Sequence, residues 1–239
     1  MRRAARDEVK AGADFIKANG RCASPTDPIH FHGFSREELN AVVEEARNAS
    51  TYVSAHLYTD DAICRCVEAG VRSLEHCNLI RSATAKLAAK KGCIAVPTLV
   101  TYDRLASEGA SLGVPQDAIA KVEDVRSAGM ESLQIMQDAG LLMAYGSDLL
   151  GEMHCHQSEE FVIRGRILPA HKVIASATSV AAKLPGMECL IGSITPGVFA
   201  DLIVVNGNPL SDLSLLTRQG AHISLIMQGG KVIKNTLAR

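Results

Sequence analysis

Tyr52-Val53-Ser54-Ala55-His56 and, further on, Val71-Arg72-Ser73-Leu74-Glu75-His76 read as two short strands, each closed by a histidine. Between them Thr59 stands as a helix N-cap and Gly70 as a helix stop, so the intervening residues read as one helix ending at Ala69. A strand, a helix and a second strand in that order describe a parallel pair with a right-handed crossover. The same unit recurs outward in both directions. Toward the N-terminus, Arg2 to Ala11 is helical with Gly12 as its stop, and Asp14 to Lys17 reads as a strand. A loop follows from Gly20 to Gly33 with Pro25 and Pro28, then a helix from Ser35 to about Ala49, opened by a Ser35/Glu38 capping box. Toward the C-terminus come a helix over Ser82 to Lys91, a strand over Ile94 to Pro97 and a long helix over Gln116 to Ala139 closed by Gly140. A strand over Leu141 to Tyr145, running into Gly146-Ser147-Asp148, and a helix over Val173 to Leu184 complete the series.

A doubly wound open sheet and a barrel both satisfy this order. The polar residues separate them. His56, His76 and Asp148 each follow the last apolar residue of a strand, and in a (β/α)8 barrel such positions converge on the C-terminal rim, where the chemistry sits. After about Ile191 the pattern changes to short apolar runs, Ala200 to Val205, Ile223 to Met227 and Gly229 to Ile233, joined by turn residues such as Gly207-Asn208-Pro209. The expectation is an α/β fold, part of a (β/α)8 barrel over residues 1–190, followed by a small β module over 191–239.

Composition narrows the function classes. The chain has 239 residues, 47% apolar and 21% charged, with a formal net charge of -1, so no global field favours nucleic acid or an anionic membrane. No stretch approaches the ~20 apolar residues of a membrane span. The basic start, Arg2, Arg3 and Arg6, is followed at once by Asp7, Glu8 and Lys10, which reads as a solvated helical turn rather than a targeting segment. Seven cysteines are scattered, and Cys64-x-Cys66 has no second pair at zinc-finger spacing, so neither a disulfide framework nor a structural zinc is expected. Reduced thiols fit a cytoplasmic protein.

Each candidate site residue has an ordinary explanation when taken alone. A histidine at a strand end is commonly a hydrogen-bonded structural residue, and the aspartate of Gly146-Ser147-Asp148 could cap the next helix. Lys17, inside Phe15-Ile16-Lys17-Ala18, is odder, because burying an unpaired ammonium is costly. It could snorkel, pair with Asp14 or be chemically altered. At successive strand ends of one barrel, however, Lys17, His56, His76 and Asp148 would share a mouth, and imidazole with carboxylate suits zinc or a similar divalent cation.

The sequence resembles the amidohydrolase superfamily at these same places. Ala11-Gly12-Ala13-Asp14-Phe15-Ile16-Lys17 looks like its strand 4 segment, Ser54-Ala55-His56-Leu57-Tyr58 its strand 5 motif, Ser73-Leu74-Glu75-His76-Cys77 its strand 6 motif and Tyr145-Gly146-Ser147-Asp148 its strand 8 motif. Ile194-Thr195-Pro196-Gly197 with Ala200-Asp201-Leu202-Ile203-Val204 resembles the return into the family's small β-sandwich. Residues 23–28, Leu99-Val100-Thr101-Tyr102-Asp103 and the run from Asp148 to Phe161 are similar to the Xaa-Pro dipeptidase and imidazolonepropionase-like group. The resemblance implies one or two divalent ions, zinc foremost, and a carbamate on Lys17 bridging them. It places His56 and His76 on the more exposed ion and Asp148 on the more buried one. Asp148 would then pass a proton from a metal-activated hydroxide to the leaving nitrogen. It further implies that Tyr58 contacts a substrate carboxylate, a packing role being the alternative. His154 and His156 would line the substrate loop, a solvated loop being the alternative.

The family's metal-binding His-x-His lies on its strand 1, and here Met1 begins just before the strand 4 segment. The chain is therefore expected to be N-terminally truncated relative to the family, covering strands 4 to 8. The leading expectation is a hydrolase cleaving an amide or peptide bond in an Xaa-Pro dipeptide or N-acyl amino acid, a small-molecule substrate, with a homo-oligomer left open. A cyclic-amide or imidazolone hydrolase is one alternative. A catalytically inactive remnant acting only as a binding partner is another.

Overall fold

The computed structural model of the chain describes residues 1–18 and 29–237, so the stretch 23–28 lies outside the described residues. These residues form two compact units, Met1–Pro97 with Leu105–Leu142 and Thr98–Arg104 with Met143–Arg239.

The first unit alternates helices and strands as the sequence pattern implies: α1 (Arg2–Lys10), β1 (Ile16–Ala18), α2 (Arg36–Asn48), β2 (Val53–Thr59), α3 (Asp60–Ala69), β3 (Ser73–Leu79), α4 (Ser82–Lys90) and β4 (Ile94–Val96). After α5 (Leu99–Glu108) come α6 (Gln116–Asp138) and β5 (Leu142–Met143). The sheet has five strands in sequence order. β1, β2, β3 and β4 pair in parallel, with Lys17 opposite Ser54, His56 opposite Glu75 and Glu75 opposite Val96. The local signals hold where they are strongest. Ser35 and Glu38 close a reciprocal capping box on α2. Gly70 ends α3 at φ 96, a left-handed conformation that a residue with a Cβ rarely adopts.

Several boundaries differ from the sequence reading: β1 starts at Ile16 rather than Asp14, and β5 ends at Met143, five residues before Asp148, rather than at Tyr145. β2 and β3 do not stop at their histidines but run on to Thr59 and Leu79. In β2 the alternation simply continues: Leu57 is completely buried, while His56 and Tyr58 are half-buried on the opposite face. Leu99–Glu108, to which the sequence reading assigned no element, is helical. The helix expected over Val173 to Leu184 is instead α8 (Ala170–Ala177), which begins straight after Pro169 and ends seven residues short of Leu184.

Helix α1 is held to α2 by charge. Arg2 and Arg6 both donate to Glu45, at 2.9 Å from Arg2 and at 2.7 and 2.8 Å from Arg6. The first turn is solvated as expected from the sequence, and Arg2 and Arg6 stay exposed while reaching the carboxylate that α2 presents. The two guanidiniums lower the Glu45 carboxyl to about 2. The six described cysteines are all free thiols. Burial pushes Cys66 up to about 12 and Cys93 up to about 11, which makes them packing residues rather than nucleophiles.

In the second unit, residues Gly151–Glu159 wind as a 3-10 helix into α7 (Glu160–Arg164), followed by α8. Beyond it β6 (Leu202–Val205), β7 (Ile223–Gln228) and β8 (Lys231–Asn235) form an antiparallel sheet in that order, the small β module expected from the sequence. Among the described residues no helix is long and apolar enough to cross a membrane.

Candidate functional site

The first unit gathers His56, His76 and Tyr58 near the C-terminal ends of β2 and β3. The two imidazoles stand edge to face with centroids 4.5 Å apart. The Tyr58 ring lies 4.7 Å from His56 and 5.3 Å from His76. His56 and Tyr58 share a face because they are two residues apart in one strand. His76 reaches them by a different route. Strict alternation would send Glu75 and His76 to opposite faces, yet Glu75 accepts hydrogen bonds from Ser54 and Ser73 while His76 meets the His56 ring. The backbone explains this: His76 and Cys77 have φ of 72 and 58, which breaks the pleat and turns His76. Positive φ at a residue with a Cβ is uncommon and concentrates at functional positions.

His76 is buried, at 3% exposure. Burial first, then the charges of His56 and Lys17, push its imidazolium well below the usual range, so the ring is neutral with a nitrogen lone pair to offer. Lys17 stands opposite Ser54 in the β1–β2 register. Its side chain is exposed while Ile16 and Ala18 are buried, so the burial argument made for Lys17 from its apolar neighbours does not hold in the folded chain.

Imidazole nitrogens side by side are donors that zinc and similar cations take. Among the described residues no group of three His, Cys, Asp or Glu side chains is placed to hold a metal ion. The histidine pair thus offers two donors, and a third from this sheet has to come from Lys17. An ammonium has no lone pair, so Lys17 fits only as its carbamate, which would also replace a charge that opposes His76 by one of the opposite sign.

Just beyond these residues a cleft of about 390 Å³ opens between the ends of β2 and β3 and helix α6, lined by Thr59, Asp60, Asn78, Arg81 and Glu131 among others. Asn78 donates to the Val125 carbonyl at 2.9 Å, which turns it toward α6.

Asp148, His154 and His156 belong to the second unit. Asp148 is exposed, with φ 47, and its carbonyl accepts the Thr101 hydroxyl at 2.9 Å. His154 is exposed. His156 pairs through Nδ1 with Glu159 at 2.9 Å, and Glu159 also receives Arg104. Sequence reasoning missed the most buried charges of this unit. Glu160 and Arg164 are both 0% exposed and bond to each other at 2.7 Å. Glu160 also accepts the Val100 amide at 2.7 Å, while Arg164 donates to the Ala144 carbonyl at 3.0 Å. Burial pushes the Glu160 carboxyl up, and Arg164 with the Val100 and Leu99 amides opposes that rise. The only signal was an acid and a base four residues apart around Phe161-Val162-Ile163, which reads equally well as a surface pair.

The model of the Amidohydrolase family matches residues 1–232, and the chain belongs to that family. It is 30% identical over 238 residues to the ochratoxinase of Aspergillus niger, covering 98% of this chain and 49% of that protein. Among solved structures, a prolidase complexed with N-methylphosphonate-L-proline superposes with a TM-score of 0.94 at 47% identity, over 98% of this chain and 58% of that one. A Xaa-Pro dipeptidase with methionine bound in its active site gives 0.88 at 28% identity, again over 98% and 58%. The chain thus spans about half the length of the curated relative. The fold expected from the sequence, part of a (β/α)8 barrel with a small β module, is the one it shares with these structures.

Proposed function

We propose that this chain carries part of the active site of a metal-dependent hydrolase that cleaves the amide bond of an Xaa-Pro dipeptide or an N-acyl amino acid. The observation that carries the reading is the pair of histidines, His56 and His76, edge to face at 4.5 Å on neighbouring parallel strands. His56, His76 and a carboxylated Lys17 are the residues that would hold a divalent cation, zinc being one that imidazole ligands suit. Such a cation, when bound, polarises the scissile carbonyl and lowers the pKa of water. In this reading Tyr58, against both rings, faces the substrate's carboxylate, and Asp148 carries the proton to the leaving nitrogen. The preference for a prolyl or N-acyl substrate follows the relatives, which include a prolidase holding a phosphonate of proline and a Xaa-Pro dipeptidase.

The test is metal content per chain, with native mass measurement for the carbamate on Lys17, followed by a panel of Xaa-Pro dipeptides and N-acyl amino acids. About one zinc or more per wild-type chain, lost in His56→Ala and His76→Ala, is the expected result. A folded wild-type chain that takes up no zinc, cobalt or manganese overturns it.

A further inference from the structure

We propose that the buried Glu160–Arg164 pair and Thr101 form a positioning device that pins the backbone of residues 144–148 in the left-handed geometry found at Asp148. All of the contacts lie within the second unit. Arg164 donates Nη1–H to the Ala144 carbonyl at 3.0 Å, and its guanidinium lies over the Tyr145 ring at 5.3 Å. These contacts fix the start of the segment. Thr101 donates its hydroxyl to the Asp148 carbonyl at 2.9 Å, and that fixes its end. The two clamps are joined, because Glu160 accepts from Arg164 at 2.7 Å through one oxygen and from the Val100 amide at 2.7 Å through the other. Val100 is the residue before Thr101, so the carboxylate that orients the guanidinium also orients the hydroxyl. At the second clamp Asp148 sits at φ 47, a left-handed conformation that is uncommon for a residue with a Cβ, though aspartate tolerates it better than most.

A purely stabilising role is a poor account of this pair. Two charges at 0% exposure are costly to desolvate, and replacing such a pair by apolar residues is often neutral or favourable to stability. What apolar residues cannot supply is a directed bond to one carbonyl and one amide at once. The proposal rests on the reading of Asp148 as the proton carrier only for its catalytic consequence; the pin itself is a statement about backbone geometry.

The decisive variant is Thr101→Val, which keeps the shape of a side chain 4% exposed and removes only the hydroxyl. Thr101→Ser restores the donor, and the double variant Glu160→Gln with Arg164→Met removes both charges. Hydrogen exchange of peptides covering 141–149 reads the pin directly. In Thr101→Val, exchange over that stretch is expected to quicken about tenfold while the remaining peptides keep their protection. A misplaced catalytic group is expected to lower kcat roughly 10- to 100-fold on the cleaved substrate, with KM and metal content unchanged, and Thr101→Ser should recover both readouts. Exchange and kcat at wild-type values in Thr101→Val overturn the proposal. If Asp148→Asn is as active as wild type, or the wild type cleaves nothing, the functional reading fails; faster exchange in Thr101→Val then still supports the pin.

Discussion

In the first unit's sheet Ala55, Leu57 and Leu74 are 0% exposed, whereas in the antiparallel sheet of the second unit Ile203 is 48%, Val232 47% and Ile233 57% exposed. Both sheets are written in the same apolar residue types. They differ in what their side chains meet. The parallel strands are joined by helices that fold back over them, as crossovers require, so their apolar residues find partners within the unit. The strands of the second sheet are linked by turns and 3-10 segments, with Leu210 and Ser214 amides tied to the Asn208 and Asp212 side chains. Such links supply ladder bonds and register but no covering layer. The comparison separates two things that hydrophobic patterning merges: the tendency to form a strand and the burial that makes a strand stabilising.

The largest effect that comparison predicts is in the covered sheet. Leu57→Ala removes a fully buried side chain from the middle of β2 and is expected to cost about 2–5 kcal/mol, read from the shift in denaturant midpoint. A cost below about 1 kcal/mol would mean that the β2 core is loosely packed and that the contrast with the second sheet is overstated.

The first unit is also held at its edge by charge, and this part depends on pH. Glu45 has its carboxyl lowered to about 2 by Arg6 and Arg2, against an ordinary value near 4.5. A group depressed in the folded state contributes its full stability above the unfolded value and loses it as pH falls toward the folded value. The docking of α1 on α2 should therefore be constant above about pH 4.5 and weaken between there and about pH 2. Glu45→Gln should flatten that part of the stability profile. An unchanged profile in Glu45→Gln would show that other carboxylates govern acid unfolding.

These examples show why some features could be read in advance. The Ser35/Glu38 capping box, the Gly70 stop and the three strands of the β module are local signals, complete within a few residues. The placing of the histidines was half local. Ser54, His56 and Tyr58 alternate with Ala55 and Leu57, so the continuation of β2 was visible in principle. The turn at His76 and Cys77, by contrast, is a backbone conformation that no residue type there announces. Helix α5 was illegible because its first amides are satisfied from a distance: Val100 donates to Glu160, sixty positions along the chain. Glu160 and Arg164 were missed for the same reason, since an i, i+4 acid–base pair carries no mark of its own burial. What the sequence hides is consistently what a non-local partner decides.

The smallest stability effect belongs to the uncovered sheet, and it sharpens the comparison most. Ile233 lies in β8 at 57% exposure, and a lysine there keeps the strand's backbone pairing while removing exposed apolar area. Away from packed features a surface substitution usually shifts stability by no more than about 0.5 kcal/mol, and Ile233→Lys is expected to fall in that range while raising the concentration at which the chain stays dispersed. Light scattering beside a denaturant titration gives both numbers. If Ile233→Lys instead costs as much as Leu57→Ala, then Ile233 is covered in solution. The two sheets would then obey one rule, with the cover of the second supplied by a surface beyond its own unit.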